Sequence, residues 1–292
     1  MNAEFEKLVA QAPYGVSERL SPLVRRVLAR NPSPFTFTGT GTYIVGNGTV
    51  AIIDPGPADA AHLDAVAAAV AGEQVSHLVI THTHMDHSPA AVPLRARFGA
   101  EVAGCVPLVL QDDGLRADAG FDPTYAPDRV LRDGEAVCGP GWTLRAVHTP
   151  GHTSNHLCYA LAEERALFSG DHVMGWSTTV VAPPDGDMAD YMASLKLLLG
   201  RDDVRYYATH GQPIEEPQRL VKHLLAHRRQ RETQILGHVD AGVRAIPAMV
   251  ALMYASVDKR LWGGAGRSVL AHLIDLEARG LVARKDDLWT RV

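Results

Sequence analysis

The alternation of apolar and polar positions marks out strands first. FTFTGTGTYIV and TVAIID, within residues 35–54, read as two strands joined by a hairpin-type turn at Gly46-Asn47-Gly48. Asp54-Pro55-Gly56-Pro57 stops the second of them. HLDAVAAAVAG, residues 62–72, is Ala-rich with helical spacing and ends on a glycine, so it reads as a helix. VSHLVIT, residues 75–81, is a continuous apolar run of strand length, the pattern of a buried strand. After it, Ser88-Pro89 supplies an N-cap and a first-turn proline and predicts that a helix opens there. WTLRAVHTP, ALFSG and VRYYAT repeat the strand pattern further along, and each runs into a His or Asp beside a glycine: Gly151-His152, Gly170-Asp171-His172 and His210-Gly211. Polar side chains thus gather on loops at the ends of buried strands, where α/β architectures hold their ligands.

The last part of the chain changes character. Residues 216–240 have the pattern of one long helix, and residues 246–254 that of a shorter one opened by Pro247. Residues 266–279 place Val269, Leu270, Leu273, Ile274 and Leu276 on one helical face before Gly280. LVARKDDLWTRV then reads as two short strands forming a wing around Lys285-Asp286-Asp287. The predicted division is a body at 1–227 and a small winged-helix-like domain at 228–292.

Composition narrows the classes. The chain has 292 residues, 46% apolar and 21% charged, enough to bury a core and unlike a disordered or fibrous chain. No apolar run approaches the roughly 20 residues that cross a membrane. The beginning, MNAEFEKLVAQAPYGVSERL, has neither the basic nor the apolar region of an export signal, so the expected location is cytoplasmic, with no membrane partner. Cys105, Cys138 and Cys158, odd in number and far apart, fit a reducing compartment and read as small buried apolar residues. The net charge of −5 is uneven: residues 228–292 hold 11 Lys and Arg against 7 Asp and Glu. That basic excess hints at an anionic partner but is far smaller than a nucleic-acid footprint.

Fourteen histidines, clustered in short loops, carry the chemistry. In His82-Thr83-His84-Met85-Asp86-His87, an extended backbone puts His82, His84 and Asp86 on one side, and a helical turn at His87 brings its imidazole back to the same point. Imidazole and carboxylate donors at that spacing fit zinc, and a catalytic zinc keeps one position open for water. Lone histidines such as His62, His77, His223, His227, His238 and His272 read instead as structural residues. No Gly-x-Ser-x-Gly elbow and no phosphate-binding GxxxxGK[ST] loop occurs.

The string from His82 to His87, followed in order by Pro150-Gly151-His152-Thr153, Ser169-Gly170-Asp171 and Thr209-His210-Gly211, resembles the metallo-β-lactamase superfamily. The resemblance implies an α/β (α+β) chain, an αββα sandwich with two metal ions at one edge between its sheets. It implies that His82, His84 and His152 bind one ion, that Asp86, His87 and His210 bind the other, and that Asp171 bridges them. His148 belongs to the flank of its motif and not to the ligands. Glu18-Arg19-Leu20-Ser21, Asn31-Pro32, the run from Gly39 to Tyr43, Trp176-Ser177-Thr178-Thr179 and the run from Asp190 to Leu195 are similar to the β-lactamase-like protein 2 subgroup, which also ends in a winged-helix-like domain. Two departures concern the second ion: Thr209 stands where a glycine is usual, and Gln212 where another glycine is common.

The expected activity is that of a hydrolase with two Zn2+ ions, or other divalent transition metals, that lower the pKa of a shared water to about 7 and direct the resulting hydroxide at a carbonyl or phosphoryl centre. Asp86 is the candidate to orient the water or protonate a leaving group, and Ser177, Thr178 and Thr179 are candidates to touch substrate. The substrate reads as a small ester, thioester, lactone or related amide, with single-stranded RNA, which the subgroup resemblance implies for some members, as the alternative. A non-catalytic nucleic-acid-binding protein is a third reading, against which the complete ligand set argues. β-Lactam cleavage is not favoured, since nothing suggests export. The tail is open to two roles: contact with nucleic acid through Arg267, Arg284 and Lys285, or a lid or homodimer-packing element beside the site.

Overall fold

The computed structural model describes residues 3–108 and 120–292. After helix α1 (Ala3–Gln11), a first sheet runs in the order β1 (Ser17–Arg19), β2 (Val24–Leu28), β3 (Gly41–Asn47), β4 (Thr49–Ile53), β5 (Gln74–Ile80), β6 (Glu101–Gly104), β7 (Arg129–Val130). A second is built from β8 (Ala136–Gly139), β9 (Trp142–His148), β10 (Leu157–Leu161), β11 (Ala166–Gly170) and β12 (Arg205–Ala208), in the reverse order.

Residues facing inward alternate as the strand period of two requires. In β10, Leu157, Tyr159 and Leu161 join the core between the sheets, while Cys158 and Ala160 point to the other side. The outer face of the first sheet carries α2 (Ala60–Ala69) and α3 (Ala91–Phe98), and that of the second carries α4 (Met188–Leu199) and the first half of α5 (Pro217–Asp240). Four layers result, helix, sheet, sheet, helix, as the αββα expectation has it. The inner strands of both sheets are buried on both faces, which is why β5 and β11 read as apolar runs.

Some boundaries differ from the sequence reading. Residues 35–40 are irregular and β3 begins at Gly41, because Asn31 turns back on this segment: its Oδ1 accepts from Thr40 N (2.9 Å) and its Nδ2 donates to Thr40 Oγ1 (3.0 Å). α1, α4, β1, β2, β6, β7, β8 and β10 had no predicted counterpart. The α2 helix starts earlier than predicted, capped by the Asp59 carboxylate on His62 N (3.0 Å). The helix expected at Ser88 opens at Ala91, since residues 84–90 form turns and Ser88 Oγ donates to Asp122 Oδ2 (2.8 Å) instead of capping. Cys105 and Cys158 are buried, whereas Cys138 is exposed, on the edge strand β8.

The C-terminal segment adds α6 (Ile246–Met253), α7 (Trp262–Ala278) and a hairpin, β13 (Val282–Lys285) with β14 (Leu288–Arg291), the expected wing. Its core joins Met249, Val250, Val269, Leu273, Leu276, Val282 and Trp289 to Ile235 and Val239 of α5. The α5 helix runs unbroken through residues 227 and 228, its first half (Val221, Leu224, Leu225) serving the second sheet and its second half the winged helix. On α7, Ile274 is exposed, while Ala271 and His272 are buried, because this helix packs on α4 and α5 as well as on its own small core.

Candidate metal centre

β4, β5 and β6 are parallel, and so are β11 and β12; β9, antiparallel to β10, shares their direction. The segments following β4, β5, β9, β11 and β12 therefore leave the two sheets along one edge. The sheets are tied together there by Leu157 N donating to Thr81 O (2.9 Å) and Gly41 N donating to Thr209 O (2.8 Å). Two glycines permit the close approaches. Gly151, at φ 136°, lies where a Cβ would come within 2.3 Å of Tyr191 Cα, and Gly211, at φ 97°, lies against the backbone of Gly175.

Every residue assigned to a metal by resemblance arrives at this edge. One group is His82, His84 and His152, with His84 Nδ1 lying 2.9 Å from His82 Nε2 and 3.1 Å from His152 Nε2. Another is Asp86, His87 and His210, with Asp86 Oδ2 at 3.1 Å from His210 Nε2 and 3.5 Å from His87 Nε2. Between them sits Asp171 Oδ2, at 3.5 Å from His87 Nε2, 3.4 Å from His210 Nε2 and 3.8 Å from His152 Nε2. His148 lies outside, exposed, its Nε2 3.4 Å from Ser154 O. The geometry arises differently from the predicted strand-then-helix path. His87 N donates to His84 O (2.9 Å) in a tight turn, and this turn, not a helix, folds His87 back.

The surroundings fix which nitrogen faces inward. His152 Nδ1 donates to Val180 O (2.6 Å), His210 Nδ1 to Gly39 O (3.2 Å) and His87 Nδ1 to Asp54 Oδ2 (2.9 Å). Thr81 Oγ1 donates to Asp54 Oδ2 (2.8 Å) and so accepts from His82 Nδ1 (3.0 Å). These four rings thus turn Nε2 toward the centre, the arrangement in which outer partners orient metal-binding imidazoles. His87 Nε2 and Asp171 Oδ1 are buried without a hydrogen-bond partner. Nitrogen and carboxylate donors that converge in this way fit divalent transition ions, which would take the place of the protons that His87 and His210 share with the carboxylates.

The charges divide in the same way. Burial, reinforced by the neighbouring imidazoles, holds His82 well below the ordinary histidine pKa and lowers His84 to about 3, so these two rings are neutral. Burial also disfavours charge on His87 and His210, but Asp86 and Asp171, with Asp54 beside His87, outweigh it: His87 is held well above its ordinary value and His210 is raised to about 10. Burial alone would raise Asp86 and Asp171; His87 and His210 keep both carboxyls well below the usual range.

Residues that the pattern reading had not singled out support the site. Asp54, fully buried at the end of β4, accepts from Thr81 N, Thr81 Oγ1, His87 Nδ1 and Thr209 Oγ1 at 2.8–3.1 Å. It shows the signal that marks the other loops, an acidic residue at a strand end next to a glycine-containing turn. Thr209, the departure from the family pattern, thus binds Asp54, and through it bears on His87. His156 accepts from Asp171 N (3.2 Å) and donates from Nδ1 to Thr149 Oγ1 (2.9 Å).

Over the centre lies a cavity of about 280 Å3, lined by His84, Asp86, His152, Asp171 and His210 together with Ser33, Phe35, Thr36, Met174 and Val180. Ser177, Thr178 and Thr179 are not among its lining, contrary to expectation. Thr179 turns inward and donates from Oγ1 to the carbonyls of Asp171 (2.8 Å) and His172 (3.0 Å), and Ser177 Oγ donates to Thr178 O (3.3 Å). At the rim, Gly264 of α7 abuts the Phe35 ring.

Residues 36–210 match the family described as the metallo-beta-lactamase superfamily, and residues 245–289 that of the beta-lactamase associated winged helix domain. The chain belongs to the metallo-β-lactamase superfamily. Among its relatives, an atrochrysone carboxyl ACP thioesterase of Paecilomyces divaricatus is 35% identical over 226 residues, 76% of this chain and 66% of that protein. A beta-lactamase-like protein 2 homolog of Caenorhabditis elegans is 34% identical over 223 residues, covering 75% of this chain and 72% of that one. A beta-lactamase domain protein from Burkholderia ambifaria has the same fold throughout, with a TM-score of 0.78 at 22% identity, covering 100% of this chain and 99% of the other.

Proposed function

We propose that this superfamily member is a two-zinc hydrolase that cleaves the thioester or ester bond of a small, largely apolar acyl compound. The observation that carries the reading is the position of the converging His and Asp donors at the floor of a cavity walled by Phe35, Met174 and Val180. The volume is at the lower end of ordinary ligand pockets, which run from about 300 Å3 upward. His82, His84 and His152 would hold one ion, Asp86, His87 and His210 the other, and Asp171 both. The ions supply Lewis acidity and a water activated near neutral pH.

The protein's own groups do the rest. The apolar wall packs the acyl chain and orients its carbonyl over the donors. Asp86, which accepts from Thr40 Oγ1 (3.3 Å) and lines the cavity, orients the attacking water, takes the proton that the water gives up as it adds to the carbonyl and passes that proton to the departing group. A thiol, with an ordinary pKa of about 8.5, leaves with little help, so a thioester asks least of this single carboxylate. The names of the thioesterase relatives support the same bond class. Single-stranded RNA is the weaker reading. Among the described residues no Lys or Arg lines the cavity and no stack of aromatic rings opens into it, whereas single-strand binding relies on both features. Arg284, a candidate RNA contact, bonds within its own wing, to Asp286 O (2.8 Å) and Asp287 Oδ1 (3.2 Å).

The test is elemental analysis of zinc-replete protein followed by parallel turnover of an acyl thioester, a lactone, a β-lactam chromophore and labelled single-stranded RNA. The expected result is close to two zinc ions per chain and preferential thioester or ester turnover that a chelator abolishes. Fewer than one ion per chain, or RNA cleavage without ester turnover, overturns the proposal.

A further inference from the structure

Arg228 is 3% exposed and projects from the middle of α5 into the layer between α5, α4 and the 171–180 loop. Among the described residues no carboxylate lies within ion-pair distance of it. Its Nη2 donates to Thr179 O (2.5 Å), its guanidinium carbon sits 5.2 Å from the centre of the Tyr191 ring, and its Nε has no partner. A buried cation without a counter-charge is costly, and an apolar side chain of similar length would fill the same space more cheaply. What arginine alone supplies there is the directed, charge-assisted bond to Thr179.

That bond falls on the peptide unit that aims two of the candidate ligands. The side chain of Thr179 holds the Asp171 and His172 carbonyls, and the carbonyl of the next residue, Val180, takes the Nδ1 proton of His152 at 2.6 Å. Asp171 touches both donor groups and His152 completes one of them. The same loop brings Met174 and Val180 to the cavity wall. Arg228 therefore grips, from outside the site, the one stretch of backbone on which Asp171, His152 and part of the wall all depend. The helix it stands on continues into the core of the winged helix through Ile235 and Val239.

We propose that Arg228 is a positioning residue for the metal centre: by fixing the 179–180 backbone from α5 it sets the aim of Asp171 and His152 and hence how tightly the ions are held. The C-terminal domain, seated on the second half of the same helix, thereby braces the site it adjoins. This inference rests on the two-metal reading above.

The experiment measures zinc affinity by competition with a chromogenic chelator on the full chain, with the visible spectrum of the cobalt-substituted protein as a reporter of ligand geometry. The variants are Arg228→Met, Arg228→Lys and His272→Leu, with folding checked by circular dichroism. His272 is buried on α7 with both ring nitrogens unpartnered, and it makes no bond to the 171–180 loop. Loss of an outer-shell contact commonly weakens metal binding about 10- to 100-fold. Arg228→Met is expected in that range with an altered cobalt spectrum, Arg228→Lys between it and the parent, and His272→Leu within about twofold of the parent. A folded Arg228→Met protein with parental affinity overturns the proposal, and so does a His272→Leu loss as large as that of Arg228→Met, which would make the effect one of general loosening. Should Arg228→Met not fold, parental affinity in Arg228→Lys overturns it equally. A parent that binds no zinc overturns the two-metal reading itself, whereas a parent with two ions and unaffected Arg228 variants overturns this inference alone.

Discussion

Replacing Asp54 with asparagine changes one charge and almost no volume, and the donors around it allow the consequence to be worked out. Oδ1 accepts from the Thr81 amide at 2.9 Å, while Oδ2 accepts from His87 Nδ1 at 2.9 Å and from the hydroxyls of Thr81 and Thr209 at 2.8 and 3.1 Å. An asparagine offers one acceptor oxygen and one NH2 group. If the NH2 takes the Oδ1 position, it confronts a backbone N–H that cannot reverse, leaving a buried donor unsatisfied at about 1–3 kcal/mol. If it takes the Oδ2 position, the hydroxyls can rotate to accept, but His87 must move its proton to Nε2, the atom that faces Asp86 and Asp171. Either way the bond to His87 goes from charge-assisted, about 1.5–3 kcal/mol, to neutral at best, about 0.5–1.5 kcal/mol. The loss of roughly 1–1.5 kcal/mol corresponds to about a tenfold change in the affinity of the ion held by Asp86, His87 and His210. Chelator competition on Asp54→Asn should therefore show one weakened zinc and one near-parental zinc. Two parental affinities in a folded variant would refute the reasoning, and so would a uniform loss at both sites.

The remaining expectations concern the bridging carboxylate, the tail and acid stability. Asp171→Ala should lose metal and nearly all turnover, whereas His148→Ala should resemble the parent; zinc content and thioester kinetics that fail to separate them would break the residue assignments. Neutralising Arg267, Arg284 and Lys285 together should leave the salt dependence of short-RNA binding unchanged. A log-log slope that flattens by about 0.7 for each phosphate contact removed, read by fluorescence anisotropy, would return the tail to nucleic acid. His272, lowered to about 3 by burial and then by Arg228, His227, Arg279 and Arg231, must stay neutral in the folded state, against 6.5 as its ordinary value. Its neutral form stabilises the fold above about pH 6.5, and that contribution is lost as the pH falls toward 3, at up to about 1.4 kcal/mol per pH unit. His272→Leu should make urea-unfolding stability fall less steeply than in the parent between pH 6.5 and 4, and parallel curves would contradict this.

Part of each sheet core was legible because strands buried on both faces write themselves as apolar runs: residues 75–81 and 166–170 coincide with β5 and β11 to within a residue, although β6 and β10, buried alike, were not marked out. β1 and β2 escaped the reading for the opposite reason. Ser17–Arg19 carries no apolar residue, and Val24–Leu28 encloses Arg25 and Arg26, whose charges are absorbed by tertiary partners, Glu73 (2.7 Å) and Glu18 (2.9 Å), that no local pattern can reveal. The same failure explains the early strand start predicted in residues 35–40, where Asn31 binds Thr40 through both its backbone and its hydroxyl.

At the site, legibility tracks which atoms carry the function. Side-chain donors on loops leave a sequence trace, and the sequence placed His82, His84, Asp86, His87, His152, Asp171 and His210 where the chain folds them together. The groups that orient them are largely backbone. Val180 O and Gly39 O fix the protons of His152 and His210, and a carbonyl is present at every position, so no residue type announces it. The hydroxyl candidates Ser177, Thr178 and Thr179 were chosen by residue type and position, and for Thr179 the structure gives the hydroxyl the opposite assignment, binding carbonyls behind the ligands. Arg228 stands on α5, outside every motif; helical spacing puts it on the stripe of Val221, Leu224 and Leu225 and leaves Arg229 exposed, but it does not say what a cation on that stripe binds. The partner exists only once α5 is packed against the 171–180 loop. An outer residue of this kind acts through a carbonyl it does not own, which is why the first ring of a metal site can be read from a sequence while the ring that aims it has to be read from the fold.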